Sequence, residues 1–162
     1  MKKKSKFDYI CVSISTLGFI GYAPKIPGTI GTLAAFLLYI GLKGDYLWTG
    51  IVITMSMLAG MLTIKRTEKV LGVKDPRNIV IDEFAGMFVG LYLLPFNIFY
   101  AITGFLLFRI FDIFKPFGIR RLEKISGGIG VIADDILAGI YTNLLLHLIH
   151  YLNFTLDTIP QV

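Results

Sequence analysis

Five apolar runs constrain what this chain can fold into more than any other feature. They cover residues 29–42, 46–64, 79–96, 97–114 and 129–152, and short polar connectors separate them. Hydrophobic residues make up 55% of the 162 positions and charged residues only 17%, where a soluble domain of this size carries about 25%. Mean hydropathy is +0.72. Packed as a soluble core with one layer of helix around it, such a chain would leave too much apolar surface in water. The runs therefore predict an all-α fold, a polytopic membrane helix bundle of about five spans. Residues 29–42 would reach only about 21 Å as helix against a hydrocarbon core of about 30 Å. A broken or re-entrant N-terminal segment is the alternative for that part. The division expected is an interfacial N-terminal segment over 1–28, a transmembrane bundle carrying the chemistry over 29–152, and a short tail over 153–162.

Charge placement orients the bundle. Of the 16 Lys and Arg, five lie in residues 1–28, five in 65–78 and five in 109–128, with Lys43 alone elsewhere. Five crossings put these three zones on one side, which the positive-inside rule makes cytoplasmic. Basic connectors there attract anionic bilayer lipids. They are too short to form the broad, aromatic-interleaved face that nucleic acid requires, so no nucleic-acid partner is expected. The basic start of the chain has no long apolar run ending in a small-residue cleavage site, so no signal peptide is expected. The lone Cys11 makes no internal disulfide and reads as a small buried residue. His147 and His150 share a helix face and read as packing or interfacial side chains.

Against this background, three acidic intrusions stand out. Asp82 and Glu83 open the third run, Asp112 lies near the end of the fourth, and Asp134 and Asp135 lie early in the fifth. The up-and-down topology brings all five to one membrane level beneath the basic connectors. Acids within spans face the bundle interior and mark functional sites. Grouped carboxylates repel one another, and a hard divalent cation such as Mg²⁺ or Mn²⁺ with oxygen ligands removes the conflict. Asp82, Glu83, Asp112 and Asp135 are the candidate metal ligands. Arg109, Asp112 and Lys115 recur at three-residue spacing on one helix face, which places an acid between two cations suited to a phosphate. Arg120 and Arg121 add charge nearby. In "PKIPGTIGTLAA", Thr29 and Thr32 follow Pro27 and Gly28. A helix starting there would aim free N–H groups at the same surface, although an ordinary Pro-Gly turn reads equally well. The stretch lacks the Gly-Lys-Ser/Thr of a P-loop.

The stretches "PGTIGTLAA", "GVKDPRNIVIDEFAGMFV", "FLLFRIFDIFKPFGIR" and "GGIGVIADDILAGIY" occur in the order found in the phosphatidylglycerophosphatase A family, which the chain resembles over most of residues 24–141. That family comprises small bacterial inner-membrane enzymes that need Mg²⁺ and hydrolyse phosphatidylglycerophosphate to phosphatidylglycerol and phosphate. The resemblance implies that its acidic motifs fall on Asp82, Glu83, Asp112, Asp134 and Asp135, and its basic residues on Arg109 and Lys115. Lys69, Asp75 and Arg120 also match family positions. The expected catalytic set is Asp82, Glu83, Asp112, Asp134, Asp135, Lys115 and Arg109. Thr29, Thr32, Arg109, Lys115 and Arg120 are expected to hold the substrate phosphate. Metal-activated water at the cytoplasmic interface is favoured over an Asp nucleophile, because nothing resembles the soluble aspartyl-phosphatase motif. Phosphatidyl-alcohol transferases need aspartates at spacings this chain lacks. Histidine-dependent lipid phosphatases need His among the basic zones. A small divalent-cation transporter is the non-enzyme alternative, disfavoured by acids at one interface and by the lack of an internal repeat.

Overall fold

The structure is a computed structural model and describes residues 5–116, 118–122 and 128–158. Its regular elements are helices, with no strand among the described residues: α1 (Lys6–Ser15), α2 (Pro27–Gly41), α3 (Tyr46–Leu71), α4 (Ile81–Leu91), α5 (Ile98–Phe114), α6 (Ile119–Leu122) and α7 (Gly128–Thr158). Local chemistry sets most of the boundaries. Ser5 and Asp8 form a reciprocal cap on α1, with Ser5 N–H donating to Asp8 Oδ2 at 2.8 Å and Asp8 N–H to Ser5 Oγ at 3.2 Å. Pro27 opens α2 at its first position, where a missing N–H costs nothing. Asp45 caps α3 by accepting from Trp48 N–H, and Gly72, at φ 74°, closes it in the left-handed region.

Among the described residues two helices, α3 over its full length and α7 over Gly128–Thr155, are long and apolar enough to cross a membrane. Their outward faces carry exposed Leu47, Met55, Leu58 and Leu62 on α3 and Leu144, Leu148 and Tyr151 on α7. The runs over 29–42 and 97–114 appear as the shorter helices α2 and α5. The run over 79–96 gives a helix of only 11 residues, because α4 stops at Leu91. Tyr92 turns extended, Leu93 takes φ 61°, and Pro95 bars the helix from continuing. Asn143 of α7 fills the gap by donating its side-chain N–H groups to the carbonyls of Gly90 and Tyr92, at 3.3 and 2.7 Å. Those carbonyls would otherwise be orphaned.

α4 occupies the centre and packs on α2, α3, α5 and α7. Its crossing with α7 is the tightest. A Cβ on Gly86 would lie 2.6 Å from the Asp135 carbonyl oxygen, and a Cβ on Gly139 would run into the Gly86 carbonyl. The small residues let the two backbones approach closely. Phe88, Met87 and Leu91 fill the core with Phe108, Tyr39 and Leu146.

The N-terminal segment locks the turn that leads into α4. α1 lies on α3 through a buried hydroxyl cluster in which Ser15 Oγ meets Thr63 Oγ1 at 2.8 Å and accepts from Thr67 Oγ1 at 3.1 Å. Arg66 grips Asp8 with Nη2 at 2.6 Å and Nε at 2.7 Å. The Ser5 amide and then Arg66 hold the Asp8 carboxyl below its ordinary range. At the end of α1, Val80 N–H donates to the Ser15 carbonyl at 3.0 Å, and beyond it Asn78 Nδ2 donates to the Gly21 carbonyl at 3.1 Å. Gly21 has no room for a side chain, since a Cβ would collide with the Asn78 carbonyl.

Candidate active site

The first turn of α4 carries Asp82 and Glu83, and the second turn of α7 carries Asp134 and Asp135. The close α4–α7 crossing brings these turns together. Carboxylate oxygens of Asp82, Glu83 and Asp135 all lie within 4.8 Å of one another. Asp82 and Asp135 are buried, and Asp82 Oδ1 accepts the Glu83 N–H at 3.1 Å. Among the described residues, no Lys or Arg forms an ion pair with any of the three.

The other two predicted acids each have a cation. Arg109 Nη1 donates to Asp112 Oδ2 at 2.5 Å, one turn along α5. Lys115 Nζ donates to Asp134 Oδ2 at 2.5 Å and so ties the end of α5 to α7. Lys115 closes α5 with φ 46°, an uncommon conformation for a residue other than glycine, immediately before Pro116. Thr32 holds Arg109 from the other side: Arg109 Nη1 donates to Thr32 Oγ1 at 3.3 Å, and Thr32 Oγ1 donates to the Gly28 carbonyl at 2.9 Å.

The start of α2 lies directly over Glu83. A Cβ on Gly28 would collide with Glu83 Oε1 and stand 3.4 Å from Arg109 Nη1. A side chain at this position would displace the Glu83 carboxylate. Between α2 and the end of α5 lies a cleft of 710 Å³. Ile26, Gly28 and Thr29 form one wall, and Arg109, Asp112, Ile113 and Lys115 form the other. Glu83 also reaches it, and Lys25 and Arg77 complete its lining. Three buried polar atoms here lack a hydrogen-bond partner among the described residues: Glu83 Oε2, Asp134 Oδ1 and Arg109 Nε. Buried polar groups are normally satisfied, so orphans on two acids and a guanidinium mark a place for a ligand.

Seven of the residues predicted from sequence therefore belong to one connected cluster: Asp82, Glu83, Asp112, Asp134, Asp135, Arg109 and Lys115. Thr29 lines the cleft, whereas Thr32 acts through Arg109 and not on the cleft itself. Arg120 is exposed on α6 and is not among the residues lining the cleft. His150 packs edge-on against Tyr100, with Nδ1 3.1 Å from its hydroxyl, and is not among the residues lining the cleft. Sequence reasoning missed Lys25 and Arg77. The available signal was their position beside prolines, Lys25 between Pro24 and Pro27 and Arg77 after Asp75-Pro76, where turns present side chains at a helix start.

A family profile decides the relationship: that of phosphatidylglycerophosphatase A matches residues 13–150. The chain belongs to this family. A phosphatidylglycerophosphatase A of Escherichia coli is 36% identical over 80% of this chain and 77% of its own length. One from Haemophilus influenzae is 36% identical over 86% of this chain and 89% of its own. A Bacteroides thetaiotaomicron protein, provisionally named a phosphatidylinositol-3-phosphatase, is 37% identical over 90% of this chain and 95% of its own. No solved structure matches. The family and the named relatives leave the cation-transporter alternative without support.

The cluster also suits the cofactor that the resemblance implied. Its donors are all carboxylate oxygens, they converge from two helices, and one of them, Glu83 Oε2, is buried without a partner. Such a set fits a hard divalent cation.

Proposed function

We propose that this protein hydrolyses phosphatidylglycerophosphate to phosphatidylglycerol and inorganic phosphate, as a Mg²⁺-dependent phosphoric monoester hydrolase. The observation that carries the reading is the cleft in which Glu83 meets Arg109, Lys115 and the start of α2. An acid with an orphaned oxygen and two positioned cations surround one space, in a chain of this family.

Asp82, Glu83 and Asp135 would hold the cation, with Asp112 beside them. When bound, a divalent cation there supplies Lewis-acid polarisation of the phosphoryl group. Arg109 and Lys115 neutralise charge developing on the phosphoryl oxygens. Asp112 and Thr32 aim the Arg109 guanidinium, and Asp134 aims the Lys115 ammonium. Thr29 and the free N–H groups of the first turn of α2 add donors to the same anion. The Glu83 carboxylate, one of whose oxygens has no partner among the described residues, would orient water for attack on phosphorus. The water oxygen would bond to phosphorus as one of its protons passes to Glu83, the bond from phosphorus to the glycerol oxygen would break, and a proton would return to that oxygen.

We place the enzyme in the bacterial cytoplasmic membrane as a multi-pass protein with its site on the cytoplasmic side. Five helices, α2, α3, α4, α5 and α7, would alternate in direction. The site residues support this: they fall at the start of α2, α4 and α7 and at the end of α5. The positive-inside rule then puts that end in the cytoplasm. Anionic lipids would gather around the basic connectors.

Phosphate release from mixed micelles tests the reading. Phosphatidylglycerophosphate, phosphatidylinositol 3-phosphate and phosphatidate are compared, each with Mg²⁺ and with chelator. Fastest release from phosphatidylglycerophosphate, lost in chelator and in Asp82→Asn, is expected. Faster turnover of phosphatidylinositol 3-phosphate would favour the activity named for the Bacteroides relative. Undiminished turnover in chelator would remove the metal from the mechanism.

A further inference from the structure

The cleft contains two tiers of positive charge. The inner cations, Arg109 and Lys115, are each held by a carboxylate, Asp112 and Asp134, next to the acid cluster. The outer cations, Lys25 and Arg77, line the same cleft from the segments that precede α2 and α4. Both are exposed, and among the described residues neither forms an ion pair. Lys25 also takes a left-handed backbone, φ 72°, which is uncommon for a residue with a side chain. Ile26 N–H donates to the Pro24 carbonyl at 2.9 Å within this turn, and Pro27 starts α2 immediately after it.

A single phosphate at the inner tier would occupy only a small part of 710 Å³. The rest of the headgroup must lie toward the outer tier. We propose that Lys25 and Arg77 form a second phosphate subsite, which takes the phosphodiester linking the headgroup to diacylglycerol while the monoester sits between Arg109 and Lys115. The enzyme would then select lipids that carry a monoester and a diester on one polyol. This rests on the phosphatase reading above and adds the basis of its selectivity. The lipids named for the relatives, phosphatidylglycerophosphate and phosphatidylinositol 3-phosphate, are both of this kind. Phosphatidate, whose single phosphate joins diacylglycerol directly, is not. Arg and Lys are the side chains suited to such a group, Arg by its forked donors and Lys as a point charge. Binding a remote part of the substrate also helps to position the reacting part.

The product provides a clean probe. Phosphatidylglycerol keeps the diester and lacks the monoester, whereas inorganic phosphate resembles only the monoester. Competitive inhibition by each is measured in neutral-detergent micelles for wild type, Lys25→Asn, Arg77→Gln and the double variant. Asn tolerates the left-handed backbone, so Lys25→Asn should melt with wild type. Each substitution should weaken inhibition by phosphatidylglycerol by about tenfold, the scale of one lost charged contact. Inhibition by phosphate should stay within about twofold of wild type on the same scale. Lys65→Asn, an exposed change outside the cleft, controls for attraction to the micelle surface. Unchanged phosphatidylglycerol inhibition would overturn the subsite. So would an equal loss for phosphate, or an equal loss in Lys65→Asn. The substrate reading fails separately, by absence of phosphate release from phosphatidylglycerophosphate in the wild type.

Discussion

Replacing Asp135 with Asn tests whether α4 and α7 share a divalent cation. Oxygens of Asp82, Glu83 and Asp135 lie within 4.8 Å of one another. At an effective dielectric of about 20, two ionised carboxylates at that separation repel by roughly 3.5 kcal/mol. Asp135 belongs to two of the three pairs, so with all three acids ionised and no cation bound Asn removes about 7 kcal/mol of repulsion. Relaxation and counterions reduce this. Even about 2 kcal/mol would raise the melting temperature by about 4–8 °C in a domain of this size. The wild type behaves in the opposite way toward Mg²⁺. At a free concentration one hundred times the Kd, a cation that binds only the folded state adds about 2.7 kcal/mol, or about 5–10 °C. The assay is thermal unfolding in detergent, first in EDTA and then across a Mg²⁺ titration, with phosphate release measured alongside. Asp135→Asn should melt higher than wild type in EDTA and lose most of the Mg²⁺-dependent shift. Its turnover should fall by at least about 100-fold, the scale for removing a well-placed electrostatic group. A variant that keeps the wild-type shift with Mg²⁺, or melts lower in EDTA, would refute the shared site.

Three further changes probe the frame around the site. Gly28→Ala pushes a methyl group into Glu83, so turnover should drop by about 100-fold, as for a misplacement of about 1 Å, while melting changes little; normal turnover would separate Gly28 from the site. Gly139→Ala drives α7 away from the Gly86 carbonyl and should cost about 1–3 kcal/mol by overpacking, read as a lower melting temperature; an unchanged value would mean that the crossing relaxes freely. Asp8→Asn should lower the melting temperature at neutral pH by removing the charged partner of Arg66. Native contacts hold the Asp8 carboxyl below its ordinary value of 3.8, so this stabilisation is complete above that value and disappears as pH falls through the lower native one. The gap between wild type and variant should therefore close in acid, and a constant gap would show that the ion pair is not its source.

Much of this arrangement was legible because it depends on period and charge. Apolar runs gave the helices, and acids placed at alternating ends of successive helices had to meet if those helices ran up and down. The i,i+3 spacing of Arg109 and Asp112 already put them on one face, and they do pair. What sequence could not give are the contacts between distant segments. Thr32 and Arg109 are far apart in the chain, and no local pattern announces that one positions the other. The end of α4 depends on Asn143 in α7, which supplies donors for carbonyls that a longer helix would have satisfied internally. The N-terminal segment read only as interfacial. Its carbonyls at Ser15 and Gly21 hold the turn before Asp82, a role that depends on backbone positions and leaves no mark in side-chain composition.

The shortness of α4 follows from its place in the bundle. A span of about 20 residues is needed when a helix must cover the hydrocarbon core by itself. None of the 11 residues of α4 is exposed, because α2, α3, α5 and α7 enclose it. Its length is therefore set by its neighbours rather than by bilayer thickness. The same enclosure allows it to carry Asp82 and Glu83, since acids that would be costly against lipid face only protein and the cleft. Glycines at 28, 86 and 139 bring the surrounding backbones close enough to crowd these acids. Crowding raises the electrostatic cost of the site and also gives a bound cation its ligands. Substitutions that remove one of the crowded carboxylates without disturbing the helix crossing should therefore gain stability and lose turnover together, which is the pattern expected where a fold retains strain for chemistry.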